Sequence, residues 1–210
     1  MKRPKPGRRH ILLLYRRMMD RLWGPTLALG ILMLILWFWS DFFFPELPFI
    51  YVLALLIGAV IVLAFSVFAF LARKMGYVQA YPDHLRIVTP FLLLKISYRR
   101  LINSYPSEFF RLFPPTKTHW AEHRFLEPFY ERTALVVEVS QYPIKPSLLR
   151  LFLLPQMFLP QSRALVLVVQ DWMALSTEID SALGSWKQSQ SINQKIQKGG
   201  YGIMGTHRKR

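Results

Sequence analysis

The residues best suited to chemistry are His119, Glu122 and His123, which form the pattern H-x-x-E-H. On a helix, residues four apart share a face, so both histidines could bind one metal ion while the glutamate activates a water molecule. The competing interpretation is a polar surface segment without a metal. Nearby prolines leave room for about three helical turns, and no third ligand is evident. We therefore expect no metal and no cofactor, and keep a metal-dependent membrane hydrolase as an alternative.

Other catalytic chemistry lacks the residues that it would need. The chain has no cysteine, which excludes disulfides, thiolate catalysis and cysteine-ligated metals. It contains no G-x-S-x-G sequence and no glycine-rich phosphate loop. His84 and Ser97 can be neighbours on adjacent strands, and we interpret both as ordinary outward-facing positions. The sequence thus predicts a protein that is not an enzyme.

Two long apolar runs indicate an integral membrane protein. They cover residues 23–40 and 47–72, and no Lys or Arg occurs between Arg21 and Arg73. Each run is about as long as the roughly 20 residues that a helix needs to cross a bilayer. We therefore predict a transmembrane hairpin over residues 23–72.

The distribution of charge predicts the orientation of this hairpin. Residues 1–22 carry eight Lys or Arg and one acid, the stretch between the two runs is acidic, and residues 73–210 are again basic. The positive-inside rule then places both termini in the cytoplasm, as in a multi-pass protein of a bacterial inner membrane. The basic flanks attract anionic lipid headgroups. Nucleic acid is not an expected partner, because no nucleic-acid motif accompanies these arginines.

The rest of the chain has the pattern of a small α+β domain over residues 73–188. Residues 84–89 and 92–98 alternate between apolar and polar positions, which predicts antiparallel strands. Residues 101–105 are expected to form a further strand, ended by Pro106. Residues 109–132 form an aromatic, proline-rich insertion. Asp171 is a candidate N-cap for a helix, whose apolar stripe consists of Trp172, Leu175, Ile179, Leu183 and Trp186.

The two ends of the chain have little pattern of their own. Residues 1–10 are rich in Pro, Gly and Arg, which predicts disorder, and residues 10–21 suit an interfacial helix that leads into the first span. Residues 189–210 are expected to be a flexible basic tail.

Residues 81–106 (YPDHLRIVTPFLLLKISYRRLINSYP) resemble the bacterial pleckstrin-homology-like (PH-like) membrane proteins, in which two transmembrane helices precede the domain. The resemblance rests on the T-P-F turn and on the basic and aromatic segment at residues 96–102. With the hairpin it covers residues 23–188, and it departs from the family at 109–132 and 142–160. It implies an α+β membrane protein, in which a two-helix transmembrane hairpin precedes a PH-like antiparallel β-barrel capped by a C-terminal amphipathic helix.

Two sets of residues are candidates for lipid or partner contact. The first is the basic cluster Lys95, Arg99 and Arg100, for which a solvated outer strand face is the alternative. The second consists of Leu151, Phe152 and Phe158, in an apolar segment at residues 142–160 that is interrupted by prolines. That segment could be buried in the domain, enter the inner leaflet or meet a partner.

The resulting expectation is a binding or scaffolding role at the inner face of the membrane. The chain would hold a protein partner there, or assemble with itself as a homo-oligomer. The alternatives are the hydrolase described above and an accessory subunit of a larger membrane complex.

Overall fold

The first and last parts of the chain meet in one domain, from which two long helices emerge. The structure, a computed structural model, describes residues 6–43, 48–115, 120–159 and 162–203. The helices are α1 (Leu13–Phe38), α2 (Ser40–Phe43), α3 (Phe49–Ala72), α4 (Phe109–Leu112), α5 (Trp120–Leu126), α6 (Pro146–Phe152) and α7 (Trp172–Ile203). The strands are β1 (His10–Ile11), β2 (Tyr77–Ala80), β3 (His84–Thr89), β4 (Leu92–Ser97), β5 (Leu101–Glu108), β6 (Thr133–Val139) and β7 (Ala164–Leu167).

Helices α1 and α3 pack closely against each other as a hairpin. A β-carbon added at Gly30 would lie 2.7 Å from the Leu63 side chain, so glycine is needed for this approach. The Ser66 hydroxyl donates a hydrogen bond to the Trp23 carbonyl oxygen at 2.9 Å, which joins the helices near one end. Small side chains therefore set the distance between the two helices.

Both helices are long and apolar enough to cross a membrane. Only 6% of the most apolar stretch of α1, and 17% of that of α3, is buried in the molecule. The side chains facing outward are large, including Leu32 and Ile61, which are 53% and 62% exposed. An apolar surface of this extent is costly in water.

The first helix begins at Leu13, ten residues before the start of the apolar run at residue 23. The additional turns belong to the domain, since Leu14 and Tyr15 are each 1% exposed and Met19 is 4% exposed. The segment expected to be an interfacial helix is therefore continuous with the first apolar run.

The hairpin is inserted between two neighbouring strands of the first sheet. This sheet has the order β1-β2-β3-β4 and is antiparallel, and β1 pairs with β2 through His10 opposite Val78. Before β1, the Gly7 amide donates to the Ala80 carbonyl oxygen at 2.8 Å. Residues 6–12 are therefore part of the domain, in contrast to the disorder expected for residues 1–10; residues 1–5 lie outside the described residues.

Strands β3 and β4 have the predicted alternation. Leu85, Ile87, Leu94 and Ile96 are buried, whereas Lys95 is exposed. The expected neighbours His84 and Ser97 are directly opposite each other. The apolar periodicity of this region is therefore confirmed as the inner face of a sheet.

The second sheet has the order β5-β6-β7 and is also antiparallel. Strand β5 does not end at Pro106, as expected from the sequence, but continues to Glu108 with Pro106 opposite Leu135. Proline is tolerated here because β5 is an edge strand of this sheet and needs no hydrogen-bond donor on its open side.

The domain is mixed α+β, but its strands form two separate sheets and not the closed barrel that was expected. Helix α7 contacts β2 of the first sheet together with β5 and β6 of the second. The predicted stripe is confirmed, since Leu175 and Ile179 are fully buried, and the Asp171 carboxylate caps the Ala174 amide at 2.9 Å. The helix continues to Ile203, into the segment expected to be a flexible tail.

Candidate binding surfaces

The residues of the predicted metal pattern are only partly described. His119 lies outside the described residues, and Glu122 and His123 are on α5. The Gln156 side-chain amide donates to the Glu122 carboxylate at 2.8 Å, and the His123 ring lies 5.5 Å from the Tyr130 ring. Among the described residues, no group of three or more His, Cys, Asp or Glu could hold a metal ion. The hydrolase alternative therefore remains a sequence pattern to which this geometry adds nothing.

A more extensive candidate site lies where β4 is connected to β5. The chain forms a 3-10 turn at Tyr98–Arg100, in which Arg99 is exposed and Arg100 is half-buried. The turn is held by Tyr98, which is 1% exposed and donates its hydroxyl proton to the Tyr81 carbonyl oxygen at 2.7 Å. Burial raises the pKa of Tyr98, and the nearby carboxylates of Asp83 and Glu178 add to the rise. A buried, neutral phenol thus supports a turn that presents two arginines.

Two further chain segments meet this turn. The Ser140 amide donates to the Arg100 carbonyl oxygen at 2.8 Å, and the Arg163 guanidinium donates to the Ser140 carbonyl oxygen at 3.0 Å. The Val139 amide donates to the Arg163 carbonyl oxygen at 2.8 Å. These hydrogen bonds connect the β4–β5 turn, the end of β6 and the start of β7.

Two open cavities adjoin at this junction and share Gln141. The smaller, of about 420 Å³, is lined by Arg99 and Arg100, and the larger, of about 710 Å³, by Lys145, Arg150 and Arg163. Among the described residues that line the two cavities, none is acidic. We call these five cations the distal basic surface. Their arrangement creates a positive field that favours an acidic ligand.

Tyr142 lines the larger cavity together with Arg150 and Arg163. Its hydroxyl donates to the Ala164 carbonyl oxygen at 3.4 Å. Burial raises the pKa of Tyr142, while the positive charges of Arg150 and Arg163 act in the opposite direction. Both arginines line the same cavity, so their charges favour a negatively charged group held there.

The distal basic surface lies at the end of both sheets that is remote from the hairpin. At the near end, the Phe91 ring before β4 lies 5.4 Å from the Phe68 ring of α3, and β4 then extends for about 17 Å. In the second sheet, α4 and α5 follow the near end of β5 and reach α1, where the Arg17 guanidinium donates to the Phe125 carbonyl oxygen at 3.0 Å. The opposite end of β5 is about 23 Å away.

The structure brings some of the predicted contact residues together and separates others. Arg99 and Arg100 belong to the distal basic surface, and Lys95 is exposed on the outer face of β4. Leu151 is 72% exposed and Phe152 is half-buried, but Phe158 is only 7% exposed. Phe158 is mostly buried beside β7, and it also lines the larger of the two cavities.

The segment at residues 142–160 contributes mainly to the core of the domain. Leu149, Leu153 and Met157 are between 0% and 3% exposed. Burial in the domain, one of the interpretations left open by the sequence, therefore describes most of its large apolar residues. The prolines fit because Pro146 and Pro155 stand in the first turns of short helices, where no amide donor is required.

Lys145, Arg150 and Arg163 were not identified from the sequence. They are far from Arg99 along the chain, and only the folding of β6 and β7 brings them together. One signal was present, because no Asp or Glu occurs between Glu138 and Asp171. A long acid-free stretch that contains several cations is a reason to look for a basic surface.

Comparison of the chain with protein-family models, with curated proteins and with solved structures finds no match.

Proposed function

We propose that the chain is a membrane-anchored PH-like module that is not an enzyme and that holds an acidic protein partner at the inner face of a bacterial membrane. The observation that carries this proposal is the distal basic surface, with five cations around two joined cavities and no acidic lining residue among those described. Backbone hydrogen bonds hold its three supporting segments in place. Such a surface is prepared for a ligand of opposite charge.

The exposed apolar faces of α1 and α3 support anchoring in a bilayer. The part of α1 after Arg21 is about 26 Å long, which is close to the thickness of a hydrocarbon core. At the domain end of the hairpin, Arg73 of the loop after α3 pairs with Asp20 of α1 at 3.4 Å. Charged residues thus mark the level at which the helices would leave the bilayer.

The order of elements supports the PH-like assignment. A four-stranded and a three-stranded antiparallel sheet are followed by one amphipathic helix that contacts both sheets. The strands do not close into a barrel, and the hairpin follows β1, so the proposed relationship is one of sheet order and helix position.

The position of the surface favours a protein over the lipid bilayer. The strands place it about 17–23 Å from the contacts with the hairpin, whereas charge interactions at physiological salt decay over about 8 Å. A second copy of the chain is also a poor ligand for this surface, since the chain carries a net charge of +15. An acidic protein, including a larger complex of which this chain is a subunit, fits both constraints.

Photo-crosslinking in native membranes would test this proposal. A photoreactive residue at Gln141, where the two cavities join, should give a product with an acidic protein. The same residue at Lys187, on the exposed face of α7, is the control position. The Arg99→Glu/Arg100→Glu variant should lose the Gln141 product.

A Gln141 product that survives the charge reversal, or an equal product from Lys187, would contradict the proposal. A product between two copies of this chain would favour self-assembly instead. Co-purification of the crosslinked protein in a fixed ratio would indicate the accessory-subunit alternative.

Membrane anchoring and orientation have a separate test. Because the chain has no cysteine, single cysteines can be introduced without background labelling. A membrane-impermeant maleimide added to intact cells should label Glu46→Cys and not Ser162→Cys, and the protein should resist carbonate extraction. The reverse labelling pattern would contradict the orientation, and extraction by carbonate would contradict the anchoring.

A further inference from the structure

A second basic cavity lies at the opposite end of the domain, against the base of α1. It has a volume of about 420 Å³ and lies between α1 and the 3-10 turn Glu127–Phe129. Its lining residues are Leu13, Arg16, Arg17, Asp20, Arg21, Pro128, Phe129 and Arg132. We call this the proximal basic cavity. Four of its eight lining residues are arginines, so its net charge is positive.

Two of these arginines are held in place by α5. The Arg17 Nε donates to the Phe125 carbonyl oxygen at 3.0 Å, and a terminal nitrogen of Arg21 donates to the Arg124 carbonyl oxygen at 2.7 Å. The Arg21 guanidinium also lies 5.2 Å from the centre of the Phe125 ring. Each guanidinium has five N–H groups, so these contacts fix its position and leave further donors for a ligand.

Asp20, the one acidic residue among the described residues that line the cavity, already has two cationic partners. The Asp20 carboxylate pairs with Arg73 at 3.4 Å and with Arg16 at 3.8 Å. Within the described part of the chain, no salt bridge involves the side chains of Arg17, Arg21 or Arg132. The cavity therefore combines three cations without a carboxylate partner, two of which are fixed.

The cavity lies at the boundary between the charged and apolar parts of α1. Trp23 follows Arg21 by two residues, and the stretch beyond it contains no charged residue before Asp41. The Trp23 ring packs against Phe70 of α3 at 5.6 Å, and the Arg73 guanidinium lies 4.0 Å from the same Phe70 ring. In a bilayer, this combination of arginine and tryptophan belongs at the level of the headgroups.

We propose that the proximal basic cavity binds the phosphate of an anionic phospholipid headgroup, an inference that rests on the membrane anchoring in the proposed function. Arg17 and Arg21 form one wall with fixed donors, and Arg132 completes the site from the loop before β6. The acyl chains lie along the exposed apolar face of α1, where Leu29 is 48% exposed. Guanidinium groups match phosphate through paired hydrogen bonds, which gives the site its chemistry.

A lipid fits this location better than the acidic protein proposed for the distal end. The cavity opens beside the helices that would enter the bilayer, so a large partner would have to displace lipid to reach it. A headgroup phosphate is already present at this level in the membrane and satisfies the cations without displacing anything.

The test is a lipid titration of the purified full chain in nonionic detergent, followed by native mass spectrometry. The probes are phosphatidylglycerol, zwitterionic phosphatidylcholine and inorganic phosphate. We expect phosphatidylglycerol to bind in preference to phosphatidylcholine. The Arg132→Gln variant should weaken phosphatidylglycerol binding roughly tenfold, as expected for the loss of one charge-assisted hydrogen bond.

Arg132→Gln is the informative variant because the side chain is exposed and makes no described hydrogen bond, so the fold should persist. The matched control is Arg111→Gln, which removes an equal charge from an exposed ion pair with Glu108 in the same insertion. The Arg17→Gln/Arg21→Gln variant should show a larger loss where it folds.

Equal phosphatidylglycerol binding by the Arg132→Gln and Arg111→Gln variants would overturn the inference. Displacement of phosphatidylglycerol by inorganic phosphate at comparable concentration would also overturn it, since the site would then belong to a free phosphate. Neither result affects the membrane anchoring, which is decided by carbonate extraction, or the partner at the distal surface, which is decided by crosslinking.

Discussion

The distal basic surface and the proximal basic cavity both collect arginines from distant parts of the chain, but they hold them differently. At the proximal cavity, the guanidinium groups of Arg17 and Arg21 donate to carbonyl oxygens of α5. At the distal surface, hydrogen bonds of the backbone and of Tyr98 hold the turn, and the Arg99 side chain is exposed.

The proximal Arg17 and Arg21 therefore contribute to both stability and binding, whereas the distal turn presents arginines for binding. In the proximal cavity, Arg17 and Arg21 join α1 to the insertion at residues 109–132, so removing them costs stability as well as binding. At the distal surface, Arg99 and Arg100 stand on a turn that backbone hydrogen bonds and Tyr98 hold in place, so their removal should affect binding alone.

The framework of the distal surface depends on the buried side of α6. Leu149 is fully buried in this helix, which also carries Arg150. Leu149→Ala should lower the free energy of unfolding by about 2–5 kcal/mol, because it leaves a cavity in the core. Hydrogen exchange should increase mainly at residues 140–163. The control is Leu151→Ala, at an exposed position of the same helix, and an equal loss in both variants would contradict this assignment.

The structural role of the proximal arginines can be measured directly. Arg17→Gln should lower the free energy of unfolding in detergent by about 1.5 kcal/mol, since a partly buried, charge-assisted hydrogen bond is lost. Arg111→Gln, which breaks only the exposed pair with Glu108, should change it by less than about 0.5 kcal/mol. Similar thermal midpoints for the two variants would show that Arg17 is not structural.

Tyr98 links the stability of the distal turn to pH. Since burial raises the pKa of Tyr98 in the folded state, its contribution is complete below the unfolded pKa of about 10 and is lost as the pH rises towards the folded value. Tyr98→Phe should cost about 1 kcal/mol near neutral pH, through the hydrogen bond to Tyr81. It should also make alkaline unfolding, followed by circular dichroism, less steep above pH 10. An unchanged alkaline profile would contradict this role.

The smallest effect on stability is expected for Arg99 and Arg100, which are exposed and half-buried respectively and whose side chains make no described hydrogen bond. Arg99→Gln/Arg100→Gln should change the free energy of unfolding by no more than about 0.5 kcal/mol. The same variant should weaken the partner contact at Gln141. Crosslinking yield and thermal unfolding on the same preparation would measure both. A large loss of stability would remove the distinction between the two basic regions.

Local sequence patterns predicted the features that depend on residues close together in the chain. The alternation at residues 84–89, the apolar stripe on α7 and the Asp171 cap are all present in the structure. Each is a local pattern in which side chains share a face at a fixed spacing, so neighbouring residues contain the information.

Features that join distant segments were not predicted. Strand β1 has only two residues, too few for a periodic signal, and it pairs with β2 across the whole hairpin. Pro106 suggested the end of a strand, because its tolerance depends on β5 being an edge. The separate sheets in place of a closed barrel are likewise a result of pairing between strands, which no single strand encodes.

For this protein, the sequence by itself determined two apolar helices, a basic chain and a series of amphipathic strands with a final amphipathic helix, because these follow from composition and local spacing. Only the tertiary structure decided which cations act together. Arg100 and Arg163 meet through hydrogen bonds at Ser140, and Arg17 and Arg132 line one cavity because the turn before β6 packs beside α1. Charge acts through distance in space, and the fold sets that distance independently of separation along the chain.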